Sequence, residues 1–402
     1  MIKMDYGKYL QQSAEWKEKE IILCGLDIIS FGVINYLNKS GKQISGIVEK
    51  SCEKETGLFG TQLYPFSYLE EGRFKDCFFI ITAFKEKHRR KYAELITEKY
   101  GAENYVIIAN PTEVRIDISG VCNLRCPSCQ VGNHGKEDFD YSGRGFMDVE
   151  MFQKILDKVQ QEIPENPAVY LFTLGEPVLH PDIAKMIDYI HECGLMAIVS
   201  TNLSYKKNLE TFMKSEPDVL KISLSGFTQE VYGTTHCGGN VELVKENMKE
   251  IARLIQRYKL KTKVMVGYHV YNNNRGTELE AMQRLSQELG FLFQPVNAMY
   301  FNMLKRTGHT AFTQEDRAFI RNYYDNAEEI LCVPEAQEES SECRNYRDKL
   351  FIDYDGKVML CELFHKEGKY QNYLDVSYDE IQKWRKEHWI CQRCRRYGMH
   401  LK

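Results

Sequence analysis

The chemistry of this chain starts with its cysteines: thirteen in 402 residues. Three of them fall within one short stretch, Cys122-Asn123-Leu124-Arg125-Cys126-Pro127-Ser128-Cys129. Thiolates this close can bind three irons of a four-iron cluster and leave the fourth iron open to a non-protein ligand. A zinc knuckle that borrows a fourth ligand from elsewhere is the alternative. A second set lies near the C-terminus: Cys343, then Gly356 with Cys361 five residues on, then Cys391-x-x-Cys394. Four thiolates can hold a complete four-iron cluster or a structural zinc ion. Cys332 could substitute for one ligand but reads better as a free buried thiol. Cys24, Cys52, Cys77 and Cys193 read as core or incidental thiols. The odd count, and a start (MIKMDYGKYL) without an apolar segment behind basic residues, argue against exported disulfides. The expectation is a soluble cytoplasmic protein.

The elements that must position these thiols fall into three regions. Residues 1–110 alternate strands (Ile21–Cys24, Ile44–Val48, Cys77–Thr82, Tyr105–Ile108) with helices, one of them Glu86–Tyr100. That pattern argues a small parallel α/β unit. Residues 111–300 repeat strand then helix six times. The strands are Val114–Ile118, Val169–Thr173, Ala197–Thr201, Val219–Leu224, Lys263–Val270 and Leu292–Val296. Amphipathic helices such as Val149–Ile163 and Val241–Tyr258 lie between them, and Thr277-x-x-Glu280 reads as a capping box. Uninterrupted β/α units predict a partial (β/α)6 barrel of the TIM type, with reactive groups at the C-terminal strand ends. The cysteine triplet directly follows the first of these strands. Residues 301–402 read as a small α+β unit. Thr313 opens a helix to Ile330, an acidic loop covers Pro334 to Glu342, a hairpin turns at Asp355-Gly356, and Ser377 caps a helix to His388.

Composition closes other doors. Hydrophobic residues are 43% and charged residues 27%, ordinary for a globular protein, and the formal net charge of -4 does not suit a phosphate-tracking nucleic-acid binder. The longest apolar run, Cys77 to Ile81, cannot span a bilayer.

The cysteine triplet and the residues after it resemble the radical S-adenosylmethionine (radical SAM) superfamily. Leu174-Gly175-Glu176-Pro177, at the end of the second barrel strand, is similar to that family's GGE motif, with leucine in place of the first glycine. The resemblance implies that Glu176 accepts hydrogen bonds from the methionyl ammonium of SAM. It also implies that Asn202, Ser223 and Ser225, at the ends of the third and fourth strands, hold the SAM ribose and carboxylate. Ser128 departs from the aromatic residue that many members place before the last cysteine. On this reading Cys122, Cys126 and Cys129 carry the catalytic 4Fe-4S cluster. A reducing flavodoxin or ferredoxin supplies an electron, SAM is cleaved, and the 5′-deoxyadenosyl radical abstracts a hydrogen atom from substrate. Cys343, Cys361, Cys391 and Cys394 are similar to the start and middle of the SPASM pattern. The shortened twitch type of that pattern implies one auxiliary 4Fe-4S cluster.

The first region resembles the Rossmann-like domains found beside enzymes of nucleotide-linked sugars. Its glycine fingerprint is damaged, with Gly25-x-Asp27-x-x-Ser30 where G-x-G-x-x-G would stand. Without the second glycine a pyrophosphate cannot approach closely. Glu49 is placed to hold a ribose hydroxyl, but a helix-capped structural domain that docks a partner or orients substrate is the preferred reading. The implied substrate is therefore a carbohydrate or nucleotide-linked sugar that is oxidised, epimerised or dehydrated. The alternative is a maturase acting on a peptide or protein side chain. Cys237, in the loop Thr235-His236-Cys237-Gly238-Gly239-Asn240, could return a hydrogen atom to a substrate radical. Tyr268, with His269 and Tyr271, ends the fifth barrel strand and is expected to face substrate.

Overall fold

The computed structural model describes the chain except for residues 1–5, 11–14, 51, 59, 84, 109–111, 130–144, 164–167, 206–208, 301, 337–342, 344, 346–347 and 402. Two compact units are present, Ile2–Pro111 and Thr112–Lys402.

The first unit is built on strands β1 (Glu20–Cys24), β2 (Gly46–Glu49), β3 (Thr56–Leu58), β4 (Thr61–Pro65), β5 (Cys77–Ile81) and β6 (Tyr105–Ile107), in the spatial order β3-β4-β2-β1-β5-β6. Every pairing is parallel except β3 with β4. β1 and β5 are buried on both faces, which is why they read as unbroken apolar runs. The sequence reading omits the β3–β4 hairpin, whose strands are short, partly exposed and interrupted by Gly57. Gly25 sits at φ 100°, and a Cβ there would stand 2.6 Å from the Ala83 Cα. The loop it opens spends its donors internally. Leu26 N donates to Glu49 Oε2 at 2.7 Å, and Asp27 N to Ser30 Oγ at 2.6 Å. The amides that would face a pyrophosphate are thus engaged by the chain's own side chains.

In the second unit the six expected barrel strands form: β7 (Glu113–Ile116), β8 (Ala168–Tyr170), β9 (Met196–Thr201), β10 (Val219–Leu224), β11 (Lys263–Val270) and β12 (Leu292–Asn297). They pair in parallel, each with its neighbour in sequence. The sheet continues past β7 into β13 (Lys349–Ile352), β14 (Lys357–Cys361) and β15 (Phe364–Asn372). β13 runs parallel to β7, with Phe351 beside Arg115. The C-terminal hundred residues are therefore stitched to the barrel at its first strand and lie within the same compact unit.

Amphipathic helices cover the outside of the barrel. Phe152, Ile155, Leu156 and Val159 of Val149–Glu162, and Val244, Met248 and Ile251 of Val241–Tyr258, are buried in one core with Val114, Ile116, Ile222 and Val266 from the strands. Asp148 and Asn240 cap these two helices through side-chain oxygens. The Thr277 capping box does not form: the helix Thr277–Glu288 starts from Gly276 at φ 59°, without a side-chain cap. The boxes at Thr313 and Ser377 do form. The helix after Thr313 breaks into Gln314–Tyr323 and Ala327–Leu331, and a helix absent from the sequence reading, Trp389–Arg396, carries Cys391 and Cys394. The hairpin at Asp355-Gly356 is present, with Gly356 at φ 78°. Part of the expected acidic loop, 337–342, lies outside the described residues, as do Asn110 and Pro111 at the first expected boundary.

Candidate active site

β7 leaves the sheet at Ile116 and runs through Asp117 into the cysteine loop. Asp117 is 1% exposed, and its carboxylate accepts from the backbone N–H of Leu174 at 2.9 Å and of Gly175 at 3.2 Å. Burial first, and the charge of Asp353 second, push this carboxyl well above the usual range. Asp353 is itself ion-paired with Lys369. Gly175 lies so close to the cysteine loop that a Cβ would sit 1.7 Å from the Ser119 carbonyl oxygen. Glu176 N then donates to Val121 O at 2.8 Å. The glycine of the Leu-Gly-Glu motif is thus a close-approach glycine that locks two loops together. Leu174, where the family motif has glycine, packs against the apolar cluster around Cys361, Cys391 and Cys394.

Glu176 is 3% exposed. Its Oε2 accepts from Asn202 N at 2.8 Å and its Oε1 from Val178 N at 3.2 Å. Burial pushes its carboxyl up to about 7 against these donors. It therefore pins the end of β9 to the loop after β8. Asn202 Nδ2 donates to Asn123 Oδ1 at 3.0 Å and lies 3.8 Å from the Cys122 Sγ. Arg125 N donates to Cys237 O at 2.8 Å, and Asn123 Nδ2 to Ser204 O at 2.7 Å. The cysteine loop is held by hydrogen bonds from three sides.

These groups line one cavity of about 320 Å³. Cys122, Cys126 and Cys129 are on its wall together with Leu174, Gly175, Glu176, Asn202 and Ser223. Residues the sequence reading passed over also line it: Arg115 on β7, Phe172 after β8, Ser200 on β9, Lys221 on β10 and Glu362 after β14. For two of them the signal was present as strict alternation, since Arg115 and Lys221 each stand between buried apolar neighbours in a strand.

Three sequence expectations do not reach the wall. Tyr268 is fully buried in the core and its hydroxyl donates to Asn274 O at 2.7 Å, so β11 turns it away from the cavity and presents His269 instead. Ser225 is 1% exposed, with its hydroxyl bonded to Thr235 and 2.6 Å from His236 Nδ1. It supports His236, which does face the cavity. Cys237 directs its thiol to Gly233 O at 3.3 Å, behind the wall and close enough to Cys126 for their charges to interact.

Burial pushes the Cys122 thiol up to about 12 and raises the Cys126 thiol well above its usual value, and each feels the charge of Cys129. Neutral, mutually close thiols are what a cluster site looks like before metal strips the protons. The second set behaves alike. Cys361, at the end of β14, feels Cys391 and Cys394, and both of these feel Cys343. Burial pushes Cys391 and Cys394 up to about 12. Beside them lies Arg385, 0% exposed, which donates to Lys349 O at 2.7 Å and Met359 O at 3.0 Å. The charges of Cys343, Cys361 and Cys391 all reach its guanidinium. Among the described residues no three His, Cys, Asp or Glu side chains converge as ligands of a single ion. An all-thiol donor set fits an iron–sulfur cluster or, with four thiols, a structural zinc ion.

Residues 116–280 match the family model described as the radical SAM superfamily. A tungsten-containing aldehyde ferredoxin oxidoreductase cofactor-modifying protein of Pyrococcus furiosus is 31% identical over 119 residues, 30% of this chain and 31% of the relative. A GTP 3′,8-cyclase of Limosilactobacillus fermentum is 30% identical over 146 residues, 35% of this chain and 42% of the relative. The matches thus span less than half of either curated relative. Among solved structures, anSMEcpe with bound AdoMet aligns over 73% of this chain and 84% of its own, with TM-score 0.46 and 15% identity. SuiB of Streptococcus suis bound to its precursor peptide aligns over 75% and 71%, with TM-score 0.42 and 16% identity. With the cysteine loop, the Leu-Gly-Glu loop and six parallel β/α units in place, the chain carries a radical SAM domain at residues 116–280.

Proposed function

We propose that this chain is a radical SAM enzyme acting on a small polar substrate, a carbohydrate or nucleotide-linked sugar, which it oxidises, epimerises or dehydrates. One observation carries the proposal. Cys122, Cys126 and Cys129 share a single cavity with Gly175, Glu176 and Asn202 at the C-terminal end of a parallel barrel. When bound, the cluster and SAM supply a reducing electron and a hydrogen-abstracting radical.

The chain's own residues do the rest. The three cysteines would hold the catalytic cluster. Glu176, with Asn202 and Ser223, would hold SAM, and the Asp117 clamp on Leu174 and Gly175 keeps that wall in place. Cys343, Cys361, Cys391 and Cys394 would hold an auxiliary cluster, with Arg385 offsetting its negative charge. The rest of the cavity wall sets a few polar groups, the Ser200 and Ser223 hydroxyls, His236, His269 and Lys221, among apolar ones, Leu124, Phe172 and Met299. Those polar groups offer hydrogen bonds to a hydroxyl-rich substrate. Burial lowers the pKa of His236 to about 4 and that of His269 to about 3, so both imidazoles are neutral at pH 7 and offer hydrogen bonds rather than charge. A one-electron donor of the flavodoxin or ferredoxin type is the expected partner. No described helix is long and apolar enough to cross a membrane, and a cytoplasmic location is the matching proposal.

The test is iron and sulfide content after anaerobic reconstitution, together with SAM cleavage under dithionite. Wild type is expected to hold about eight irons, two four-iron clusters. The Cys122→Ala/Cys126→Ala/Cys129→Ala variant should hold about half of that and cleave no SAM. Wild type without SAM cleavage would overturn the proposal. Zinc in place of half of the iron would overturn the auxiliary cluster alone.

A further inference from the structure

We propose that Lys221 binds an anionic oxygen group of the substrate, a phosphate or a carboxylate, in the barrel lumen. The identity of that ligand as substrate rests on the radical SAM reading above, whereas anion binding itself does not.

Lys221 lies on β10 between the buried Leu220 and Ile222, so its side chain enters the lumen and lines the cavity. The neighbouring strand β11 makes room for it. A Cβ at Gly267 would stand 2.7 Å from the Lys221 Cε, so glycine at this position gives the lysine stem its slot.

The charges around the ammonium do not balance. Arg115 is paired with Glu113 at 2.8 Å and with Glu362 at 2.6 Å. Lys349 lies 3.7 Å from each of the same two carboxylates. Lys221 is a third cation beside these two acids, and among the described residues no hydrogen-bond or ion-pair partner meets its ammonium. Arg115 repels it, Glu362 attracts it from a distance, and burial lowers its pKa. The neighbouring His236 and His269 bring no negative charge, and Lys221 itself is one reason His269 stays neutral. A half-buried ammonium drawn from bulk water into a narrow lumen is costly unless an anion joins it. The surroundings suit an oxyanion, because the Ser200 and Ser223 hydroxyls, 3.2 Å apart, line the same cavity.

The carboxylate of SAM is the competing source of that anion. The lysine stem rises along the wall, and its Nζ would lie 3.7 Å from a Cβ on Gly267, the residue that β11 pairs with Ser223. The ammonium is therefore level with Ser223, and the two sources are parted by titrating with SAM already bound.

The experiment uses the full chain, reconstituted anaerobically and saturated with SAM. It is titrated calorimetrically with inorganic phosphate and, separately, with acetate. One anion per chain is expected in wild type, and the tighter probe tells a phosphate group from a carboxylate. Lys221→Gln should weaken that anion at least tenfold and Lys221→Arg should largely restore it, while SAM affinity stays within twofold in both. Absence of anion binding in wild type, or equal binding in Lys221→Gln, would overturn the proposal. So would a tenfold loss of SAM affinity in Lys221→Gln, which would give the lysine to the SAM carboxylate. Failure of wild type to cleave SAM under dithionite would sink the radical SAM reading and leave the anion titration standing.

Discussion

Asp117 is the residue whose loss should propagate furthest. It touches none of the cysteines. Its carboxylate instead satisfies the Leu174 and Gly175 amides, which no strand satisfies because β8 has already ended at Tyr170. In Asp117→Ala both donors are left buried and unpaired, at about 1–3 kcal/mol each, so about 2–6 kcal/mol in total. Relief of the repulsion between Asp117 and Asp353 offsets part of this, which favours the lower half of that range. Asp117→Asn keeps one acceptor oxygen and should lose about 1–2 kcal/mol. The loss falls on the loop that forms the SAM wall, and 1.4 kcal/mol is about a tenfold change in affinity. SAM dissociation constants from equilibrium dialysis should therefore rise about tenfold in Asp117→Asn, with cluster content unchanged. The sign of the pH dependence follows from the raised pKa. Folding raises the affinity of Asp117 for its proton, so this group's contribution to stability falls as pH rises above the unfolded value of about 4. Urea midpoints should show the deficit of Asp117→Asn shrinking toward higher pH. SAM affinity within twofold of wild type, with an unchanged midpoint, would refute the clamp.

Three further outcomes are expected. Gly175→Ala forces a Cβ against the Ser119 carbonyl, so urea unfolding should show a loss of about 3 kcal/mol or more. Arg385→Met removes the buried cation beside the second cysteine set, and reconstituted iron should fall from about eight to about four per chain while the Cys122 loop keeps its cluster. His191 is held above its usual pKa chiefly by its 3.0 Å hydrogen bond to Asp218. Its contribution to stability is full below pH about 6.5 and is lost as pH rises through the folded value. Urea midpoints of wild type and His191→Gln should therefore converge as the pH is raised, and a constant gap would refute the assignment.

The barrel was legible because its strands are buried and its helices amphipathic, so both periods stand out. Five of the six strands are found within two residues of where alternation placed them; the second, β8, ends earlier, at Tyr170. The cysteine loop was legible because ligand spacing is local. The Asp117 clamp was not. It joins residues 57 positions apart, and nothing local distinguishes Asp117 from a solvated turn residue. The misplacement of Tyr268 has a simpler cause. In a strand only every second residue faces the lumen, and β11 gives that face to Gly267 and His269. Counting outward from Gly267 would have rejected Tyr268 and chosen His269.

The same alternation bears on substrate. A barrel lumen needs no charge to fold, and branched apolar side chains fill most of them. This one carries Arg115, Lys221, Glu362 and two imidazoles along the wall of one cavity. Two of the charges, Arg115 and Glu362, tie β7 to the segment after β14 and so close the gap between the barrel and the second cysteine set. Lys221 makes no such tie and stabilises no contact between elements. Drawing a half-buried ammonium out of bulk water costs stability, and an entering anion would offset that cost. The lumen is thus shaped for a charged guest, and the guest's charge, rather than the first unit's resemblance to sugar-pathway domains, is the sharper guide to what should be screened first.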